Sequence, residues 1–168
     1  PNPFNEVPNR GKRSITIDLT KPEGRDVVLK IAANSDVFLT SYLPAARTKL
    51  GLDVDDVRAA NPNIIYARGS GWGNNGPMRE AGGYDLACGW ATSGFAQRLL
   101  DSIGDDAPPP QPPAFYDLQG GNTLAGAIST ALFKRERSGE TSIVDVSLMN
   151  VGMWSMCPDI VAAPWMPP

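Results

Sequence analysis

An alternation of short apolar runs with helix-spaced stripes restricts the fold more than any other feature of the chain. Ser14-Ile15-Thr16-Ile17-Asp18-Leu19 alternates apolar and polar residues, which predicts a strand. Val27, Val28, Ile31 and Ala32 follow at helical spacing. Thr20 and Glu23 stand before them at capping-box spacing, with Pro22 in the first turn. Asp36–Thr40 predicts a buried strand. A short helix over Asp53–Ala60 stops at Asn61-Pro62, and Ile64–Ala67 predicts a third strand. Strands separated by helices run parallel, with the crossover helices on the sheet faces. The expected class is α/β, a Rossmann-like, mostly parallel sheet with flanking helices.

The second half continues the pattern. Gly69–Gly83 is too rich in glycine for regular structure and predicts a loop. Tyr84–Leu100 predicts a helix that Gly89 and Gly94 weaken, and the proline-rich Asp105–Pro113 an extended connector. The helix over Leu118–Arg137 has the strongest signals. Asp117 stands at its expected N-cap, and Leu124, Ala127, Ile128, Ala131 and Leu132 form a stripe. Lys134, Arg135 and Arg137 fill its last turn, and Gly139 ends it. Ile143–Val146 predicts a further strand and Leu148–Met156 a further helix. Residues 1–168 are expected to form one α/β domain. The chain opens on Pro1-Asn2-Pro3-Phe4 and closes on Ala163–Pro168 without a polar tail, which reads as a partial domain of a longer protein.

Composition excludes several classes. With 42% hydrophobic and 20% charged residues the chain suits a soluble globular domain. A net charge of −3 gives no global attraction for nucleic acid or an anionic membrane. Two distant cysteines, Cys88 and Cys157, form neither a disulfide framework nor a metal knuckle, so no metal is expected and a reducing compartment is. No apolar run is long enough to span a bilayer, and the expected location is cytoplasmic. The histidine count is zero, which removes Ser-His and Cys-His dyads and histidine-ligated metals. Acid–base and nucleophilic work falls to carboxylates, Tyr, Lys or Cys.

Asp117 is the foremost candidate. At a helix start it meets the positive dipole end and free N–H groups, which favour an ionised carboxylate nucleophile. Gly120 and Gly121 would let a ligand approach the backbone, and their N–H groups could meet an oxyanion. Most aspartates at such positions only cap helices, so both roles stay open. The basic run Asn9-Arg10-Gly11-Lys12-Arg13 could grip a phosphate or be a solvated turn, and Arg47 and Lys49 beside Tyr42 offer the same choice. Gly69–Pro77 could close over a ligand, although it lacks the P-loop Lys-Ser/Thr pair. Tyr84 could orient an acyl group, or pack beside a capping Asp85. Trp72, Trp90, Trp154 and Trp165 fit core or interface positions, and Cys88 fits a small buried hydrophobe.

Taken in order, these phrases resemble family III (CaiB/BaiF-type) coenzyme A transferases over nearly the whole chain. Asn9-Arg10-Gly11-Lys12-Arg13-Ser14-Ile15, Asp18-Leu19 and Pro22-Glu23-Gly24 are similar to the family's first phrase. Asp36-Val37, Ser41-Tyr42-Leu43-Pro44 and Lys49-Leu50-Gly51-Leu52 are similar to the next. Gly71-Trp72-Gly73, Gly76-Pro77, Gly83-Tyr84-Asp85 and Asp117 with Gly120-Gly121 complete the run. The resemblance implies CoA transfer from an acyl-CoA to a free carboxylic acid, through an aspartyl anhydride and an aspartyl-CoA thioester on Asp117. It implies contacts to CoA from Ile17, Ser41, Tyr42, Ala46, Lys49 and Leu50, and an acyl contact from Tyr84. It further implies an interlocked homodimer in the complete enzyme. This sequence departs from the family at Ser41 (usually Asn), Ala45 (Gly) and Lys49 (Arg). Lysine keeps the charge there but loses bidentate geometry.

Two alternatives compete. The related alpha-methylacyl-CoA racemases pair the aspartate with a histidine where this chain has Tyr84, and an unperturbed tyrosine is a poor base near neutral pH. The other is an inactive fragment that only binds CoA.

Overall fold

A computed structural model describes residues 2–104 and 106–165. The chain-end expectation at Pro1 and Met166–Pro168 lies outside the described residues, as does Asp105 of the connector. The sheet has three parallel strands in the order β1 (Val37–Thr40), β2 (Ile65–Ser70), β3 (Ile143–Ser147). Val37 stands opposite Ile65, and Tyr66 opposite Ile143. The expected parallel α/β architecture is the observed one.

The central strand explains its own apolar run. Ile65, Tyr66 and Ala67 are fully buried because helices cover both faces. Tyr66 points to one face, where α2 (Pro22–Ala32) and α4 (Val54–Ala60) supply Leu29, Ala32, Val54 and Val57. Its hydroxyl donates to the Leu52 carbonyl at 2.6 Å. Ile65 and Ala67 point to the other face. There the stripe of α6 (Phe115–Ser138) packs Leu124, Ala127, Ile128, Ala131 and Leu132 against them and Val144. Each such large side chain adds about 1.5–3 kcal/mol on burial. Gly139, at φ 74°, ends α6 as expected.

Three local expectations fail. Ser14–Leu19 forms no strand: it lies outside the sheet, and Ile15 is 66% exposed. Alternation sets which way side chains point, but a strand also needs a neighbouring edge, and none meets this segment. The Thr20–Glu23 capping box does not form either. Thr20 gives its N–H and hydroxyl to Asp18 Oδ1 at 3.0 and 2.6 Å, and Lys21 becomes an N-cap without a side-chain bond. The carboxyl of Asp18 is held below its usual range by those bonds. Tyr84–Leu100 splits into a π turn (Leu86–Ala91) and α5 (Phe95–Ile103), because Gly94 takes φ 87° between them.

Other elements follow their signals. Asp53 and Asp56 form a true capping box on α4. Helix α7 (Leu148–Ser155) starts at Ser147, whose hydroxyl accepts from the Asn150 N–H at 3.2 Å. The short helices α1 (Pro3–Asn9), α3 (Pro44–Leu50) and α8 (Cys157–Ala162) were not predicted. Trp90 is core, whereas Trp154 and Trp165 are 78% and 80% exposed.

Candidate active site

A cavity of about 480 Å³ opens where the carboxyl ends of the three strands meet the first turns of α6. Ser41 and Leu43 line it after β1, Gly69, Ser70 and Gly71 at the end of β2, and Val146 and Leu148 around the end of β3. Gly82, Gly83 and Tyr84 cover another side. The floor is α6 itself, through Asp117, Gly120, Gly121 and Leu124. These four lie three, four and seven positions apart, so one helix face carries them all.

Asp117 is not the N-cap. Helix α6 begins at Phe115, with Ala114 as N-cap in a left-handed conformation at φ 56°. The Leu118 N–H donates to the Ala114 carbonyl at 2.9 Å, which places Asp117 as the third helical residue. The half-buried Phe115 and the fully buried Tyr116 draw the helix start back to them, their rings 5.1 Å apart beside Trp90 and Phe95. The expected dipole effect on Asp117 is also overridden. Asp117 stays exposed to solvent at the cavity floor; partial desolvation there is the larger cause that pushes its carboxyl above the usual range, and the negative charge of Asp85 adds to it.

The two glycines differ in the room around them. A Cβ at Gly121 would meet nothing within 4 Å, so its bare backbone leaves the floor open; at Gly120 it would meet Leu148 Cδ2 at 3.2 Å. Their N–H groups are not free oxyanion donors. Within α6 they point back to the carbonyls of residues 116 and 117.

Among the expected ligand contacts, Ser41 and Tyr84 line the cavity, and Tyr84 is 84% exposed at its mouth. Tyr42, Ala46, Lys49 and Leu50 lie on or just before α3, outside the lining. Ile17 lies outside it too and sits near Gly24 in the first turn of α2. Arg47 is not a free cation. It is 4% exposed and donates to the Tyr42 carbonyl at 2.8 Å, Asp53 at 3.3 Å and Asn74 at 3.3 Å. Arg10, Lys12 and Arg13 are exposed. Asp85 caps nothing and instead accepts from Gln111 Nε2 at 2.6 Å. Cys88 is buried, and its thiol is pushed up by burial and then by Asp85, which opposes nucleophilic use. Among the described residues no group of three or more His, Cys, Asp or Glu could hold a metal, and no helix is long and apolar enough to cross a membrane.

Ser70 falls within the Gly69–Pro77 loop expected to close over a ligand, but the sequence marks none of Leu43, Val146 and Leu148 for the site and shows Leu124 only as part of an apolar stripe. Their signal was positional, since ligands of open parallel sheets gather at the carboxyl ends of strands.

The cavity, floored by a helix-borne carboxylate, lies at the edge where open parallel α/β sheets commonly bind ligands. The family model described as CoA-transferase family III matches residues 2–167, and the chain belongs to that family. It is 38% identical over 145 residues to a probable fatty acyl-CoA transferase of Mycobacterium tuberculosis, covering 86% of this chain and 36% of that protein. It is 36% identical over 142 residues to the succinyl-CoA:glutarate CoA-transferase of Mus musculus, covering 84% and 32%. The crystal structure of a CAIB/BAIF family protein from Brucella suis matches with a TM-score of 0.84 at 31% identity, covering 94% of this chain and 42% of that one. The chain therefore spans 36% and 32% of the lengths of the two curated relatives.

Proposed function

We propose that these residues carry the nucleophile of a CoA transferase, and that Asp117 is that nucleophile. The supporting observation is a carboxylate facing a cavity beside Gly120 and Gly121, with its charge raised in energy by partial desolvation and Asp85. Such a carboxylate is more basic, and hence more nucleophilic, than a solvated aspartate.

The chemistry balances without a proton donor or redox step. A carboxylate oxygen of Asp117 attacks the thioester carbon of the donor acyl-CoA. The C–S bond breaks, and CoA thiolate leaves an acyl-aspartyl anhydride. The thiolate attacks the aspartyl carbonyl, releasing the donor acid and forming an aspartyl-CoA thioester. The acceptor carboxylate then expels the thiolate to form a second anhydride. Return of the thiolate to the new acyl carbonyl releases acyl-CoA and restores Asp117. Ser41 and Tyr84 border the cavity where the acyl thioester would lie, and Tyr84 would contact the acyl group. Ile17, Tyr42, Ala46, Lys49 and Leu50 would follow the rest of CoA outward, with exposed Lys49 suited to a phosphate. The segment acts within a longer, homodimeric cytoplasmic enzyme in this reading.

The deciding experiment incubates the intact protein with acyl-CoA and hydroxylamine, then maps the peptide bearing Asp117 by mass spectrometry. A hydroxamate on Asp117, and loss of transfer on the order of 10⁴-fold or more in Asp117→Ala, are expected. An active protein without that adduct, or full transfer by the variant, refutes the assignment.

A further inference from the structure

The segment from Gly71 to Asn75 contributes to two cavities. Gly71 lines the cavity that holds Asp117, while Gly73, Asn74 and Asn75 line a second cavity of about 260 Å³, with Trp72 and Asp145. The loop is packed at its start, where a Cβ on Gly71 would stand 2.9 Å from Cys88 Sγ and 3.0 Å from Gly83 Cα. Trp72 Nε1 donates to the Gly82 carbonyl at 3.1 Å, and beyond that the loop is tied by further polar anchors. Near its ends these are the Gly73 N–H to Ser70 Oγ at 3.1 Å and the Met149 N–H to the Gly71 carbonyl at 3.0 Å. At its middle is Asn74. Its amide nitrogen donates to Asp145 Oδ1 at 2.7 Å, and its amide oxygen accepts from Arg47 Nη2 at 3.3 Å.

Both partners are themselves fixed. Asp145, on β3, receives a bidentate pair from Arg68 on β2. Arg47 is buried in α3 and holds the Tyr42 carbonyl with the same guanidinium. The segment just before α3 supplies Ser41 and Leu43, which line the same cavity as Gly71. The amide of asparagine suits this place because it must donate to a carboxylate on one side and accept from a guanidinium on the other. Neither Asp nor Lys can do both.

We propose that Asn74 and Arg47 are positioning residues, which clamp the 41–43 wall to the glycine-rich loop and so set the width of the cavity for the acyl-CoA thioester. Arg47 thereby acts through the backbone of Tyr42 and not as a ligand-binding cation. Without the clamp, binding must itself order the two walls, which weakens affinity while leaving Asp117 in place. The kinetic part rests on the transferase reading; the structural part does not.

The test compares wild type, Asn74→Ala, Asn74→Asp and the neighbouring control Asn75→Ala in the intact protein. Hydrogen exchange reports on segments 41–47 and 71–76, and steady-state kinetics on KM and kcat for an acyl-CoA donor. Losing charge-assisted bonds in Asn74→Ala should speed exchange in both segments about tenfold and raise KM about tenfold, with kcat within about twofold. Asn74→Asp keeps the Arg47 arm and sets a carboxylate against Asp145, so it should loosen 71–76 more than 41–47. Asn75→Ala should match wild type. Unchanged exchange in both segments refutes the clamp, and faster exchange with unmoved KM reduces it to a stability contact and refutes the positioning role. A wild-type protein that transfers no CoA overturns the proposed function instead, and exchange alone then decides the clamp.

Discussion

Replacing Gly89 by alanine should strike the candidate site through packing alone. Gly89 lies in the π turn, and a Cβ there would stand 2.5 Å from Tyr116 Cγ and 2.7 Å from Cδ2. Carbon atoms in good contact sit about 3.5–4.0 Å apart, so the ring would have to retreat by roughly 1 Å. The turn cannot step back instead, because α7 closes the other side: a Cβ on Gly152 would lie 2.5 Å from the Gly89 carbonyl oxygen. The ring is also flanked, with Phe95 at 6.1 Å and Phe115 at 5.1 Å between centroids. Overpacking of this kind costs about 1–3 kcal/mol. Removing glycine from the unfolded chain returns about 0.4–1 kcal/mol. The net loss of about 1–2 kcal/mol should lower Tm by roughly 2–8 °C at this chain length. Tyr116 immediately precedes Asp117, and a 1 Å displacement of a reacting group can cost about 10²-fold in rate. Gly126→Ala is the control. It lies in the same helix as Asp117, and its Cβ would meet nothing within 4 Å, so it should gain about 0.4–1 kcal/mol without changing transfer. Thermal unfolding by circular dichroism and a CoA-transfer assay on both variants decide the matter. A Gly89→Ala protein that melts as high as Gly126→Ala refutes the packing argument.

The carboxyl of Asp117 is raised by partial desolvation and by Asp85, and only its ionised form attacks, so transfer should fall as pH drops through a value above the usual aspartate range; Asp85→Asn should move that acid limb of kcat/KM to lower pH. A limb that does not move would show that Asp85 does not act on Asp117. Burial also raises the Tyr66 phenol to about 12, so its stabilising share is present below the unfolded value near 10 and is lost as pH rises toward 12, with about 1.4 kcal/mol gone by pH 11. Tyr66→Phe, which strands the Leu52 carbonyl, should be less stable by about 1–2 kcal/mol at pH 8, and urea unfolding should show the gap closing by pH 11. Parallel pH profiles for the two proteins would refute this. Ala114→Gly should raise Tm by at most a few degrees, because relief of about 1–2 kcal/mol of left-handed strain at φ 56° outweighs only slightly the roughly 0.4–1 kcal/mol that glycine returns to the unfolded chain; a lower Tm would mean the strain is absent.

The parallel sheet was legible because a strand covered on both faces must be apolar throughout, as Ile65-Tyr66-Ala67 is. Ser14–Leu19 carried an equally clear signal and forms no strand, since pairing is decided by a remote edge that local alternation does not encode. Helix α3 was invisible for the opposite reason. Pro44–Leu50 has no apolar stripe, and its state is set by Gly51 at φ 62° and by the buried guanidinium of Arg47. The sequence leaves Arg47 open between a ligand-binding cation and a surface charge, and it is neither: its three acceptors lie five, six and twenty-seven residues away, one of them a backbone carbonyl. The cavity was half legible. Asp117, Gly120 and Gly121 stood out through the helix start and the glycine pair, whereas Leu124 read as core stripe, and Leu43, Ser70 and Val146 meet only through the crossover connections.

Asp117 shows where local reasoning stops. A carboxylate in a first helical turn should be held ionised by the dipole and free N–H groups, a contribution of about 0.3–1 kcal/mol at exposed sites. Two influences from outside its own turn oppose it: partial desolvation at the cavity floor, where Asp117 nonetheless stays exposed, and Asp85, held by Gln111 from the proline-rich connector. Each raises the energy of the charge and so the basicity of the oxygen. For a nucleophile this reversal is useful, since a carboxylate held firmly by a helix cap would be a weak one. Moving the helix start back to Phe115 helps in the same direction: it lifts Asp117 out of the capping position, where its oxygens would bond to backbone N–H groups, and turns it toward the cavity beside Gly120 and Gly121.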